Sequence, residues 1–335
     1  MKIEQNLFFF LSYYIPLPLS ALKFIIEDKN HPFRKINELN KNEIAKQLKI
    51  LDKKTGVSIK NIEKKVSTIL NLLKQNILIK IEESLEYWKN EKIKFVNYFD
   101  KNYPKFLKVI KNPPKIVFYK GPIELIYKKA VSIVGTRKPT DYGLLMAFNI
   151  SKRFSELGFT IVNGFARGID TEAIRGAIEV GGKIIGVLGS GLLNPYPKAN
   201  LKLFEDLIKN DKGLFISERL PSASITKSSL ASRNRISSGL SLANVIIEAG
   251  ENSGTRWQVA SGKEQGKPII VLKPQSYSEQ AYLPNFIIEN EKDCFIIENI
   301  KDIDDIVDSI LKINKINKKD NKDINNKYQK SLTDF

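Results

Sequence analysis

From Lys115 onward the chain repeats one pattern: a short β-branched run, a glycine-containing turn, then a stretch of helical period. The runs are Ala130–Val134, Phe159–Val162, Lys183–Leu188, Leu214–Ser217, Asn244–Glu248 and Pro268–Leu272. The helical stretches are Asp141–Leu157, Asp170–Val180, Lys198–Lys209 and Gly254–Gln265. Strands alternating with helices of this length pair in parallel, because a parallel neighbour is reached only through a crossover. Runs that are apolar at every position fit a sheet covered on both faces. The pattern predicts a doubly wound, mostly parallel α/β fold.

Residues 1–114 have a different texture, with helical patterns and almost no glycine. Ile59, Ile62, Val66, Leu70, Leu73 and Ile77 recur at helical spacing between Lys and Asn. This part reads as a small all-helical N-terminal domain, closed by the stiff connector Asn112-Pro113-Pro114. The α/β core is expected over 115–311. The Lys- and Asn-rich residues 312–335 read as a disordered tail. The apolar stretch Leu7–Ile26 is interrupted by Pro16, Pro18 and Lys23, so it reads as a buried helix pair and not as a membrane segment. No membrane partner is expected, and the expected location is the cytoplasm.

Residue counts exclude several chemistries. With one cysteine, Cys294, no disulfide scaffold exists within the chain, and a reducing compartment is the natural home. With one histidine, His31, a Cys/His zinc site is excluded. A catalytic triad would have to use His31, which sits in a polar Asn30-His31-Pro32 segment and reads as an exposed turn residue. Cys294, beside Phe295 and Ile296, reads as a small buried apolar group.

In an open parallel sheet, ligands bind beyond the carboxyl ends of the strands. Four such ends carry glycine with a hydroxyl, an amide or an arginine. They are Gly135-Thr136-Arg137, Asn163-Gly164-Phe165-Ala166-Arg167-Gly168, Gly189-Ser190-Gly191, and Glu248 through Ser253-Gly254-Thr255-Arg256. Glycine lets backbone N–H groups approach a ligand, and the helix that follows favours an anion at its N-terminus. One turn of this kind means little, but four on one sheet edge mark an anion-binding edge.

Arginine placement agrees. Of nine arginines only Arg34 lies outside 137–256, although Lys supplies the other 45 basic residues. Arg153 and Arg175 fall within helices and read as solvated. Arg137, Arg167, Arg233, Arg235 and Arg256 fall in or beside turns, where a planar fork suits phosphate oxygens. Arg233-Asn234-Arg235 opens a helical stretch, where cations oppose the macrodipole unless an anion is bound. Tyr196-Pro197-Lys198-Ala199-Asn200 adds a lysine beside an aromatic ring, a pairing suited to single-stranded nucleic acid. Asp170 reads as a helix N-cap.

Cofactor motifs fail on spacing. Gly135 is followed by Arg137, which breaks the dinucleotide fingerprint, and Gly186, Gly189 and Gly191 are wrongly spaced for it. Gly182-Lys183 is followed by Ile184, not Ser or Thr, and opens a strand, so it is not a P-loop. No cofactor is expected, and no carboxylate pair for acid–base catalysis stands out.

Taken in order, several motifs resemble the DprA/Smf family of DNA-processing proteins. They are Ile133-Val134-Gly135-Thr136-Arg137, Gly164-x-Ala166-x-Gly168-Ile169-Asp170-Thr171, Gly181-Gly182-Lys183, Tyr196 to Asn200, Ser217-Glu218, Arg233-Asn234-Arg235-Ile236, Gly239-Leu240-Ser241, Glu248-Ala249 and Ser253-Gly254-Thr255. Asp100-x-x-Tyr103-Pro104-x-x-Leu107 resembles that family's lead-in to its core. The resemblance implies an extended Rossmann-like fold. It implies a dimer that binds and protects single-stranded DNA, helps load the RecA recombinase in transformation, and performs no catalytic turnover. By resemblance the phosphate contacts fall on Gly135, Thr136, Arg137, Gly164, Lys198, Arg233 and Arg235. Arg167, Gly168, Asn234, Ser253, Gly254 and Thr255 complete the candidate site.

The chain departs from the family at Ile174, where a histidine is usual, and at Leu230-Ala231, where Phe-Pro is usual. It also carries Thr255-Arg256-Trp257-Gln258 in place of Ser-Leu-Ile-Thr, and it is expected to lack the C-terminal winged helix of many members. Two alternatives are a nucleotide sensor and a Lonely-Guy-type nucleotide phosphoribohydrolase. The second needs a carboxylate where Gln258 stands.

The net charge of +17 does not point to the candidate site. Residues 1–114 hold 22 basic and 12 acidic groups, while residues 115–311 hold 25 and 22. The excess lies largely outside the core, as lysine. What marks the site is where the arginines stand.

Overall fold

The computed structural model describes residues 2–313. The chain forms two compact units that divide between Lys101 and Asn102. The connector at Asn112–Pro114 lies within the second unit, where the buried Tyr103 donates its hydroxyl to Pro114 O at 2.6 Å.

The first unit holds helices Lys2–Phe9, Leu19–Glu27, Lys41–Thr55, Ile62–Lys74 and Ile77–Asn90 around Phe9, Phe10, Leu22, Ile44, Leu48 and Ile69. The long helical pattern near Ser58–Ile79 is split, because Asn61 and Asn76 take left-handed backbone and restart the chain each time. The unit also contains a strand, β1 (Lys94–Asn97), so it is not all-helical as the sequence suggested. Four residues are too few to stand out against the helical pattern around them. The Leu7–Ile26 stretch is buried helix interrupted at the prolines, and no described helix is long and apolar enough to cross a membrane.

His31 corrects an expectation: it is buried, not exposed. Its Nδ1 accepts the Phe33 N–H at 3.1 Å and caps the 3₁₀ turn that Pro32 begins. Its ring packs against Phe24 and Phe33, and burial pushes its pKa down.

The second unit is the α/β fold the pattern predicts. Its strands are β2 (Ile116–Lys120), β3 (Ala130–Val134), β4 (Thr160–Asn163), β5 (Ile184–Val187), β6 (Gly213–Ser217), β7 (Asn244–Ile246), β8 (Ile269–Leu272) and β9 (Phe295–Ile297). They lie in the order β2-β6-β5-β4-β3-β7-β8-β9. Every pair is parallel except β2 with β6. Strands β3 to β8 are buried along their whole length, as unalternated apolar runs require. Helices Asp141–Glu156, Ile169–Glu179, Leu201–Lys209 and Thr255–Glu264 link them.

Strand order advances one way from β3 through β4 to β6, and the other way from β7 to β9. The boundary between β3 and β7 is therefore the topological switch point, where connections leave in opposite directions and open a crevice. Cys294 is half-buried against the core around β8 rather than enclosed, and burial raises its thiol pKa. The tail expected over 312–335 lies outside the described residues, apart from its first two, which continue a helix over 302–313.

Candidate functional site

A cleft of about 640 Å³ opens at this switch point. Its first wall is the turn after β3. Thr136 N–H donates to Glu248 O at 2.6 Å, and Thr136 O accepts from Ile169 N at 3.2 Å, so the turn is tied to both neighbours. Gly135 has no room for a side chain: a Cβ there would lie 2.6 Å from Ile169 Cγ1 and 2.8 Å from Glu248 O. The buried Glu248 carboxylate accepts from Thr140 N at 2.9 Å and Thr140 Oγ1 at 2.5 Å. Glu248 thus anchors the loop that leaves Arg137 and Lys138 exposed on the cleft.

The second wall is the loop after β4. Asn163 Oδ1 accepts from Phe165 N at 3.0 Å, and Asn163 Nδ2 donates to Asp170 O at 3.0 Å. Asp170 Oδ2 accepts from Gly164 N at 3.0 Å and Ala166 N at 3.1 Å. Gly168 takes φ 76°, and a Cβ there would meet Thr136 O at 2.5 Å, so only glycine fits. Asp170 does not cap its own helix as the sequence suggested. Its carboxylate instead folds the preceding loop back on itself, because two loop N–H groups there have no other acceptor. Burial raises the Asp170 pKa, against the opposing pull of Arg233 and the two N–H donors.

Arg233 forms the floor, between helices Lys227–Ser232 and Asn234–Leu240. It is only 8% exposed, yet its Nε and Nη1 have no hydrogen-bond partner among the described residues. Burial lowers its pKa, the nearby Asp170 charge raises it and Arg137 lowers it. The guanidinium lies flat against Gly164, where a Cβ would overlap it at 1.6–1.9 Å. A buried guanidinium with unpaired donors is costly unless an anion completes it.

The third wall follows β7. Ser253 Oγ donates to Thr255 Oγ1 at 3.0 Å and accepts from Thr255 N at 3.2 Å. Asn234 Nδ2 reaches Gly254 O at 3.4 Å and joins this wall to the floor. Gln258 is fully buried, with its amide 2.7 Å from that of Asn244 and 3.1 Å from Ser132 Oγ.

The structure thus gathers Gly135, Thr136, Arg137, Arg233, Asn234, Ser253, Gly254 and Thr255 around one cleft, with Gly164 beneath Arg233 and Gly168 behind the first wall. Arg167 is exposed, and neither it nor Lys198 lines the cleft. Lys198 sits in a turn whose Asn200 Nδ2 donates to Phe165 O at 3.1 Å and Thr171 Oγ1 at 3.0 Å, so it borders the second wall. Arg235 is turned elsewhere. It pairs in bidentate fashion with Glu218, at 2.8 and 2.5 Å, and donates to Asn112 O at 2.9 Å. The Gly189–Gly191 turn closes on Ala223, where Gly191 N donates to Ala223 O at 2.8 Å.

Sequence reasoning missed Lys227 and Trp257 as lining residues and misread Asp170. A signal for Asp170 existed, since an aspartate two residues after a glycine loop can accept that loop's amides. No group of three or more His, Cys, Asp or Glu among the described residues could hold a metal ion.

The family model described as DNA recombination-mediator protein A matches residues 94–308. The chain is 32% identical over 211 residues to DNA processing protein DprA of Bacillus subtilis, covering 63% of this chain and 70% of that protein. Across the curated relatives, the match spans from 41% to 70% of their length. The X-ray structure of DNA processing protein A from Streptococcus pneumoniae superposes with a TM-score of 0.71 over 90% of this chain and 96% of that one, at 23% identity. The two share a fold. A structure of DNA processing protein A from Helicobacter pylori, concerned with its single-stranded DNA binding mode, superposes with a TM-score of 0.58 at 27% identity, covering 66% of this chain and 96% of that one.

Proposed function

We propose that this chain, which belongs to the DNA recombination-mediator protein A (DprA/Smf) family, binds single-stranded DNA in the cleft at the carboxyl ends of β3, β4 and β7. The observation that carries the reading is the Arg233 guanidinium, buried in the floor of the cleft with two nitrogens unpartnered among the described residues. A phosphodiester there supplies the missing acceptors and charge, through charge-assisted hydrogen bonds. Arg137, Lys138 and Lys227 then neutralise neighbouring phosphates. The backbone of Gly135, Thr136, Ser253, Gly254 and Thr255 lets the strand approach closely. Lys198 and Arg167, outside the cleft, guide the strand beyond it. The binding core is residues 115–311.

In this reading the protein protects incoming single strands and passes them to a RecA-type recombinase, acting as a cytoplasmic homodimer. It binds and releases without turning DNA over. The polar groups that shape the cleft are committed to its own backbone: Asp170 to two amides, Glu248 to Thr140. A phosphoribohydrolase would need an acid where the neutral, buried Gln258 amide meets Asn244 and Ser132.

The test is fluorescence anisotropy with labelled oligo-dT against competing AMP and GMP. Oligonucleotide binding is expected to be tight at low salt and to fall steeply as salt rises, because phosphate neutralisation releases counterions. Competition by free nucleotide at equal affinity, or release of free base from AMP, would overturn the reading.

A further inference from the structure

Trp257 belongs to the first turn of helix Thr255–Glu264 and lines the cleft. Its side chain is 60% exposed. Among the described lining residues it is the one aromatic side chain, and among the described residues its ring meets no other ring and no cation. Leaving an indole this exposed forgoes the burial that usually accompanies so large an apolar group. Three residues earlier on the same face stands Gly254, where an added Cβ would meet nothing within 4 Å. The ring therefore borders open space in a cleft whose other walls carry Arg137, Lys138, Lys227 and Arg233.

We propose that Trp257 is a stacking platform for a nucleobase of the bound single strand. Phosphate and base are then held by different walls: Arg233 takes the backbone and the indole takes the face of one base. Such a division is tolerant of sequence, because every base has a π-face. The proposal rests on the cleft being the single-stranded DNA site. It adds that the cleft holds a base as well as phosphates, and it assigns the residue that does so.

The experiment compares an oligo-dT of about ten nucleotides with an abasic strand of equal length. Trp257→Ala is expected to weaken oligo-dT binding roughly tenfold, the size of losing one stacked base. Its effect on the abasic strand should be under about twofold, since that strand offers no ring to stack. Trp257→Phe should restore most of the oligo-dT affinity. In a Trp88→Phe background Trp257 is the sole tryptophan, and its emission should quench as oligo-dT saturates the protein. If oligo-dT binds, Arg233→Ala weakens it and Trp257→Ala does not, the platform is overturned and the cleft stands. An equal loss on both strands makes Trp257 a structural residue and also overturns the platform. If the parent binds neither strand, the cleft reading itself fails.

Discussion

Arg233, at the break between two short helices, and Arg235, in the second of them, stand two residues apart and end in opposite environments. Arg235 is held by a bidentate pair with Glu218 and by Asn112 O and Ser232 O. Arg233 is more deeply buried, has no partner for Nε or Nη1 among the described residues, and lines the cleft. Residue type is the same in both places. What differs is which elements close over each side chain. The region around Arg235 is a finished structural joint. The region around Arg233 keeps two buried nitrogens unpaired among the described residues, the feature on which the proposed anion site rests.

The comparison breaks most sharply on the two alanine variants. Arg233→Ala should weaken oligo-dT binding on the order of 100-fold at low salt, from losing a charge-assisted contact worth about 1.5–3 kcal/mol. Arg235→Ala should change binding by less than about threefold, but it strips a half-buried carboxylate of its partner. A stability loss of roughly 1–3 kcal/mol follows, read as a lower melting temperature in a thermal-shift assay. If the two variants behave alike in both assays, the distinction drawn between the arginines is wrong.

A smaller effect isolates the floor of the cleft. Gly164 is not at a positive φ, so alanine is acceptable to the backbone, and the nearest obstacle to its Cβ is the Arg233 guanidinium. Gly164→Ala should therefore displace that buried guanidinium, weaken binding about tenfold and lower the melting temperature through the roughly 1–3 kcal/mol that overpacking a buried position costs. Loss of folding with no soluble protein would show instead that Arg233 is held rigidly by the core.

The smallest effect is a pH dependence. The folded protein holds the Asp170 proton more tightly than an unfolded chain does, because burial disfavours the carboxylate. Asp170 therefore contributes stability that is fully present below the ordinary aspartate pKa and is lost as pH rises through the raised, folded value. Below that value Asp170 no longer offsets the Arg233 charge. Oligo-dT affinity should accordingly rise on acidification, because the neutral carboxyl no longer competes with the phosphate for the Arg233 charge. Asp170→Asn should flatten the profile at the higher affinity, and an unchanged profile would mean that another group titrates.

Much of this was legible in the sequence. Unalternated strands ending in glycine turns dictated the parallel sheet, since only a crossover helix joins parallel neighbours and only double coverage tolerates an unbroken apolar run. The same turns placed Gly135, Gly164 and Ser253–Thr255 at the sheet's carboxyl edge. Asp170 was misread because an aspartate at a helix start has two local uses, capping forward or bracing the loop behind it, and local spacing does not choose between them. His31 was misread for a similar reason: polar neighbours in sequence say nothing of Phe24 and Phe33 closing over the ring. Trp257 carried no local signal at all, because helical stretches hold aromatics for packing far more often than for stacking.

The sequence by itself determined the fold class, the sheet edge at which the glycine turns gather and the set of arginines available there. Those follow from periodicity and from glycine, which act over a few residues. Only the tertiary structure decided which arginine is buried without partners and which ring is left open. Desolvation is set by elements distant in the chain that converge on one place: Gly164 beneath Arg233, Asp170 beside it, and Glu218 and Asn112 drawing Arg235 away.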